Sequence, residues 1–138
     1  MLSEAQQTER QQMARKHIFA VNSAPDFLDL VRELLQDEHF NVTTTNYVPL
    51  TFEQIAALHP DLLLLDLVAG ERAGWELLEH LQREAITQGI PVIVTSTDQR
   101  LLDRAQAEQA RFGANRYIVK PLDLDTLLDT IHELIGPA

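Results

Sequence analysis

The chain has 138 residues, 45% of them hydrophobic and 23% charged, and a formal net charge of −10. That length suits one domain with a real buried core, and the acidity excludes a nucleic-acid backbone as direct partner, because the 11 Lys and Arg residues are scattered and form no basic block. The lack of cysteine excludes a disulfide framework and thiolate chemistry, and the longest apolar runs, DLLLLDLVAG and IPVIVT, are too short to cross a bilayer.

Residues 1–16 read as a polar arm rich in Gln, Glu and Arg. Ser3 and Gln6 have the spacing of a capping box for a short helix. The arm has no apolar core and is not a signal peptide, so a cytoplasmic, non-membrane location is the expectation. From His17 a single domain, 17–138, alternates apolar runs with helical patterns. The first strand candidate is 18–21, IFAV, followed from Pro25 by a helix with Phe27, Val31, Leu34 and Leu35 on one face. The second strand, 40–45, FNVTTT, alternates and so belongs toward an edge. Thr51 and Gln54 then suggest a capping box for a short helix through Leu58.

The third strand, 62–65, is LLLL, and Trp75, Leu78 and Leu81 line the helix after it. The fourth, 91–95, is PVIVT, followed by Leu101, Leu102, Ala105 and Phe112 on a fourth helix. The fifth, 117–119, is YIV, and Leu124, Leu127, Leu128, Ile131, Leu134 and Ile135 give the last helix the cleanest amphipathic stripe in the chain. Four of the five strands are continuously apolar, as parallel strands covered on both faces are. Five strand-then-helix repeats predict a doubly wound, five-stranded parallel α/β sheet with five helices. Ligands in such sheets bind outside the carboxyl ends of the strands.

The first polar residues after the central apolar runs are Asn22, Asp66, Ser96 and Lys120. Singly, each has an ordinary structural reading: a loop or cap carboxylate, a helix-capping serine, a solvated lysine. Together at one edge, a carboxylate, a hydroxyl and an ammonium suit a phosphoryl group. Asp66 can act as a nucleophile that forms an acyl phosphate. Ser96 can donate to a phosphoryl oxygen, and Lys120 can neutralise its charge.

These residues carry a family resemblance. PDLLLLDLVAGERAGWELL resembles the phospho-acceptor strand and loop of response-regulator receiver domains, IPVIVTS the strand ending in their Ser/Thr switch, and FGANRYIVKP the strand with their aromatic residue and Lys-Pro. IFAVNSAPDF aligns with the family's first strand and acidic turn. The resemblance spans residues 17–136 and implies a CheY-like fold with strand order 2-1-3-4-5. It implies Asp66 as phospho-acceptor, Lys120 as the phosphoryl contact, Ser96 as the switch hydroxyl, Tyr117 as the switch aromatic and Pro121 after a cis peptide bond. It further implies two-component signalling, with a sensor histidine kinase or phosphotransfer protein as donor. Output would pass through the surface of the fourth helix, fifth strand and fifth helix, to a protein partner or a second copy. Plain packing against the fourth helix competes as the role of Tyr117.

Two departures stand out. Gly70 occupies the place of the family's usual proline, which is expected to loosen that loop. Asn22 and Ser23 replace the acidic pair that, with the acceptor aspartate and a backbone carbonyl (here Val68), holds Mg²⁺ in the family. Mg²⁺ prefers carboxylate oxygens in near-octahedral geometry, and an amide or hydroxyl substitutes poorly. Three carboxylates, one lysine and Mg²⁺ sum to zero formal charge, and so do Asp66 and Lys120 alone. The expectation is therefore no cofactor or weakly bound Mg²⁺, with phosphotransfer slow or absent although a phosphoryl group still fits. Asp26 and Glu71 are acidic neighbours, but nothing in the sequence aims them inward. Ser23 and Asp26 also have capping-box spacing, and Asn22 can bond turn amides or Lys120.

Three functions compete. One is a receiver phosphorylated on Asp66, no enzyme beyond slow self-phosphorylation and self-dephosphorylation. A second is a phosphorylation-independent pseudo-receiver, working as an interaction or dimerisation module. The third, a flavin-binding domain, lacks a glycine in the NSAPDF turn for a phosphate loop. Histidines 17, 39, 59, 80 and 132 show no metal-ligand spacing. The sequence stops at IGPA soon after the fifth helix, as expected either of a single-domain regulator acting by contact or of a piece cut from a longer chain.

Overall fold

The apolar runs at 18–21, 62–65 and 92–95 become strands that lose water on both faces. The apolar run at 117–119, expected to be covered likewise, instead lies at the sheet edge and stays partly exposed. A computed structural model of the chain describes residues 1–7, 15–47 and 50–138. Its strands are β1 (His17–Val21), β2 (Asn41–Thr45), β3 (Leu62–Asp66), β4 (Val92–Ser96) and β5 (Arg116–Val119). Its helices, from Pro25 onward, are α1 (Pro25–Asp37), α2 (Thr51–Leu58), α3 (Ala73–Arg83), α4 (Gln99–Ala107), α5 (Gln109–Phe112) and α6 (Leu124–Ile135). All pairings are parallel, in the order β2-β1-β3-β4-β5. The alternating FNVTTT run does supply an edge strand.

Successive side chains leave opposite faces of a strand, so each strand feeds two cores. Ile18, Ala20, Leu62, Leu64 and Ile93 pack under α1 and α6, against Val31, Leu35, Leu127 and Ile131. Phe19, Val21, Leu63, Leu65, Val92 and Val94 pack on the other face, against Ile55 of α2, Leu78 of α3 and Leu102 of α4. Each such leucine or isoleucine, fully buried, contributes about 1.5–3 kcal/mol.

Local signals decide the helix ends. Asp98 and Asp123 cap α4 and α6 by accepting from the N–H groups of Arg100 (3.0 Å) and Asp125 (3.1 Å), each worth about 1 kcal/mol. The Ser3–Gln6 box forms around a helical turn at 4–7, with the Gln6 N–H donating to Ser3 Oγ (3.2 Å) and the Ser3 N–H to Gln6 Oε1 (3.0 Å). Two expected boxes do not form. Thr51 is already the first residue of α2, one position too late to cap it. At α1 the N-cap is Ala24, with Pro25 at the first helical position and no side-chain cap bond.

The fourth expected helix is two pieces, α4 and α5, broken at Glu108, whose φ of −108° and ψ of 37° leave helical space. Phe112 in the short piece packs on Trp75 of α3, with ring centroids 4.8 Å apart. That contact favours the second piece over a straight continuation of the first.

Candidate functional site

Register and alternation assemble the site. Val21 pairs with Leu65 and Asp66 with Thr95, so Asn22, one step beyond Val21, lies beside Asp66. Asn22, Asp66 and Thr95 continue the alternation of Ala20, Leu64 and Ile93 and so leave the sheet on the α1–α6 side. Lys120 follows Ile118 onto the same side. Ser96 and Tyr117 fall on the opposite face.

Asp66 is buried, at 7% exposure. Its Oδ1 meets Lys120 Nζ at 3.0 Å and accepts from Thr95 Oγ1 at 2.8 Å. Both engage one oxygen, which leaves Oδ2 as the second oxygen of the carboxylate. The Lys120 ammonium also lies 4.0 Å from the ring centroid of Phe27 in α1, where the negative face of the ring attracts it. These contacts give the buried carboxylate an opposite charge and a hydrogen bond, which offset the cost of its burial.

The backbone of Asp66 is held as well. Tyr47 donates its phenol O–H to the Asp66 carbonyl. Burial raises the Tyr47 pKa, and the Asp66 and Glu71 charges raise it further, against the smaller lowering by that hydrogen bond. The phenol therefore stays a neutral donor. Gly74 opens α3 beside it: a Cβ there would stand 2.8 Å from Leu67 Cδ2 and 3.2 Å from both the Asp66 carbonyl and the Tyr47 oxygen. Glycine lets the start of α3 approach the Asp66 backbone.

Ser96 is fully buried, but its Oγ donates to the Leu67 carbonyl (2.7 Å) and accepts from the Asp98 N–H (3.1 Å). It ties the end of β4 to the β3 loop, and the hydroxyl on the carboxylate is that of Thr95. The Tyr117 ring packs against the core on the α4 side, its O–H 3.3 Å from the Ala114 carbonyl, and burial raises its pKa. The Lys120–Pro121 bond is cis. Gly70 has φ +80° and sits in a turn closed by the Glu71 N–H on the Val68 carbonyl at 3.1 Å. The third residue of a type II turn needs that sign of φ, so Gly70 tightens the loop it was expected to loosen.

The donor set does not fit Mg²⁺. Of the four groups that would hold the ion only Asp66 is a carboxylate. Asn22 Oδ1 and the Val68 carbonyl are neutral oxygens that each share their lone pairs with a backbone N–H, of Ala24 at 2.8 Å and of Glu71 at 3.1 Å. Ser23 and Asp26 are exposed. Asn22 is 3% exposed, and its Nδ2 is a buried donor with no hydrogen-bond partner among the described residues. A donor at this corner repels a cation. Thr95, Phe27 and Tyr47 are the site residues that sequence reasoning missed. Thr95 carried a signal in strand alternation, two residues after Ile93; Tyr47, in a loop, carried none.

Residues 18–132 match the family model described as the response regulator receiver domain. Protein PilH of Pseudomonas aeruginosa is 36% identical over 77 residues, 56% of this chain and 62% of that protein. A 14.6 kDa uncharacterized protein of Leptolyngbya boryana is 31% identical, covering 82% of this chain and 85% of its own. The phosphate regulon transcriptional regulatory protein PhoB of Escherichia coli is 29% identical over 86% of this chain, which spans only 51% of PhoB. Among solved structures, the response regulator receiver of Bermanella marisrubri superposes with TM-score 0.73 at 26% identity, covering 88% of this chain and 98% of that one. The Vibrio cholerae chemotaxis protein CheY4 superposes with TM-score 0.75 at 20% identity, over 88% and 99%, a likeness of fold.

Proposed function

The chain belongs to the response regulator receiver domain family, and from that premise we propose that it is a receiver in two-component phosphorelay signalling with Asp66 as its phospho-acceptor. The buried contact of Asp66 with Lys120 at 3.0 Å carries this reading. Receivers are signalling modules, and the chemistry asked of this one is a single transfer. A carboxylate oxygen of Asp66 attacks phosphorus, the bond from phosphorus to the donor nitrogen or oxygen breaks, and the acyl phosphate left behind carries about −2. Lys120 sits where it can balance part of that charge. Thr95, already a donor to Oδ1, can turn to a phosphoryl oxygen. The donor would be a phosphohistidine on a sensor kinase or phosphotransfer protein.

Asn22 and the exposed Ser23 favour a second reading, in which the domain acts by contact without phosphorylation. The surface for either reading is the α4–β5–α6 face. There edge strand β5 leaves Val119 44% exposed, above a groove that includes Tyr117, Pro121, Leu122 and Thr126. Its occupant would be a protein partner or a second copy.

Incubation with acetyl phosphate or phosphoramidate, followed by intact mass, separates the two. The account predicts one added phosphoryl group on the parent and none on Asp66→Asn. A parent that stays unmodified, with or without Mg²⁺, while remaining folded would leave the contact reading in its place.

A further inference from the structure

The amide of Asn22 is fixed in orientation by its own turn. Oδ1 faces the Ala24 N–H at 2.8 Å, a position only an acceptor can take. Nδ2 is therefore the free end, on the sheet face that Asn22 shares with Asp66. It is a donor with two hydrogens, buried and without a partner among the described residues. Buried donors are nearly always paired, and one left unpaired is a standing penalty that an arriving acceptor removes. Neighbouring strands lie about 4.8 Å apart, so a tetrahedral oxyanion on Asp66 comes within reach of a side chain one strand away.

We propose that Asn22 Nδ2 is a hydrogen-bond donor to a phosphoryl oxyanion on Asp66, so that an amide serves at this corner where receivers ordinarily place a divalent cation. The proposal rests on Asp66 being the phospho-acceptor. Asn22 then completes a ring of donors of three kinds around one anion: the Lys120 ammonium, the Thr95 hydroxyl and the Asn22 amide. Such donors, fixed before the charge arrives, stabilise it without reorganisation. Oxyanion capture at Asp66 is consequently independent of Mg²⁺, and phosphoryl-like ligands bind in a chelator. Phe27 has a supporting place in this arrangement, since its ring keeps the Lys120 ammonium on the Asp66 side.

The test uses beryllofluoride, which caps a carboxylate oxygen with a tetrahedral group of phosphoryl shape, followed by fluorine NMR in EDTA and in Mg²⁺. Asn22→Asp keeps the acceptor for the Ala24 N–H and the side-chain shape but replaces the donor with an anionic oxygen. Asn22→Ala removes both, and thermal melts establish that each variant is folded. The parent is expected to form the adduct in EDTA, and both variants to bind about tenfold or more weakly there, as loss of a charge-assisted hydrogen bond implies. Asn22→Asp should regain binding when Mg²⁺ is added. A parent that needs Mg²⁺, or folded variants that bind in EDTA as tightly as the parent, would overturn the role of Asn22 and leave Asp66 as acceptor. No adduct under either condition, together with no acyl phosphate by mass, would overturn both.

Discussion

At the scale of single residues, the site divides between what a linear rule finds and what only strand geometry finds. Asp66 and Lys120 were legible because each is the first polar residue after an apolar run, and the structure brings them to 3.0 Å. The same rule chose Ser96 and passed over Thr95, which lies inside the run PVIVT. Alternation separates the two, since Thr95 shares a face with Ile93 and Asp66 whereas Ser96 faces Leu67. The Thr95 hydroxyl is therefore expected to matter for stability. Thr95→Val keeps the shape and removes a donor from a buried carboxylate, a loss of about 1.5–3 kcal/mol, measured as the urea midpoint at pH 7. A change below about 0.5 kcal/mol, the range of inconsequential surface substitutions, would mean that this bond is not formed in solution. Phe27 was legible only as one member of an apolar helix face, because no spacing rule tells which ring will meet a lysine 93 residues away.

At the scale of elements, the strands and long helices followed from periodicity, while caps and turns did not. Three sequences had capping-box spacing, and only Ser3–Gln6 forms one. At α1 the start is set by Pro25 and by Asn22 accepting from the Ala24 N–H. At α2 the helix begins one residue earlier than Thr51 could cap. The break between α4 and α5 likewise accompanies the Phe112–Trp75 contact, which is tertiary and invisible to a local pattern. Gly70 is the clearest case: a departure from the family's usual proline that suggests slackness becomes a turn at φ +80°. A Cβ there meets nothing within 4 Å, so Gly70→Ala should lose only the backbone term, about 1–2 kcal/mol, without changing the fold by circular dichroism. Gly70→Pro should lose considerably more, because proline fixes φ near −65°. Equal stability of the parent and both variants would rule out this turn.

At the scale of the whole molecule, the doubly wound sheet was readable because continuously apolar runs call for cover on both faces, which β1, β3 and β4 receive, and right-handed crossovers then align the carboxyl ends. The edge position of β5, equally apolar, was not readable. The edge position of β2 was readable from FNVTTT. What the pattern could not yield was the sidedness of the site, which depends on register between strands far apart in sequence. Among the described residues, no helix is long and apolar enough to cross a membrane. The net charge of −10 attracts cations diffusely, and that attraction is screened within about 8 Å at physiological ionic strength. A specific Mg²⁺ site must be distinguished from this background. On the proposal made above, Asp66 and Lys120 balance each other without metal and Asn22 turns a donor toward the corner. Calorimetric titration with Mg²⁺ at physiological salt, comparing the parent with the double variant Asn22→Asp/Ser23→Asp, tests this most directly. Saturable binding to the double variant and only linear, unsaturated heats for the parent are the predicted result; saturable binding to the parent with equal affinity would contradict it.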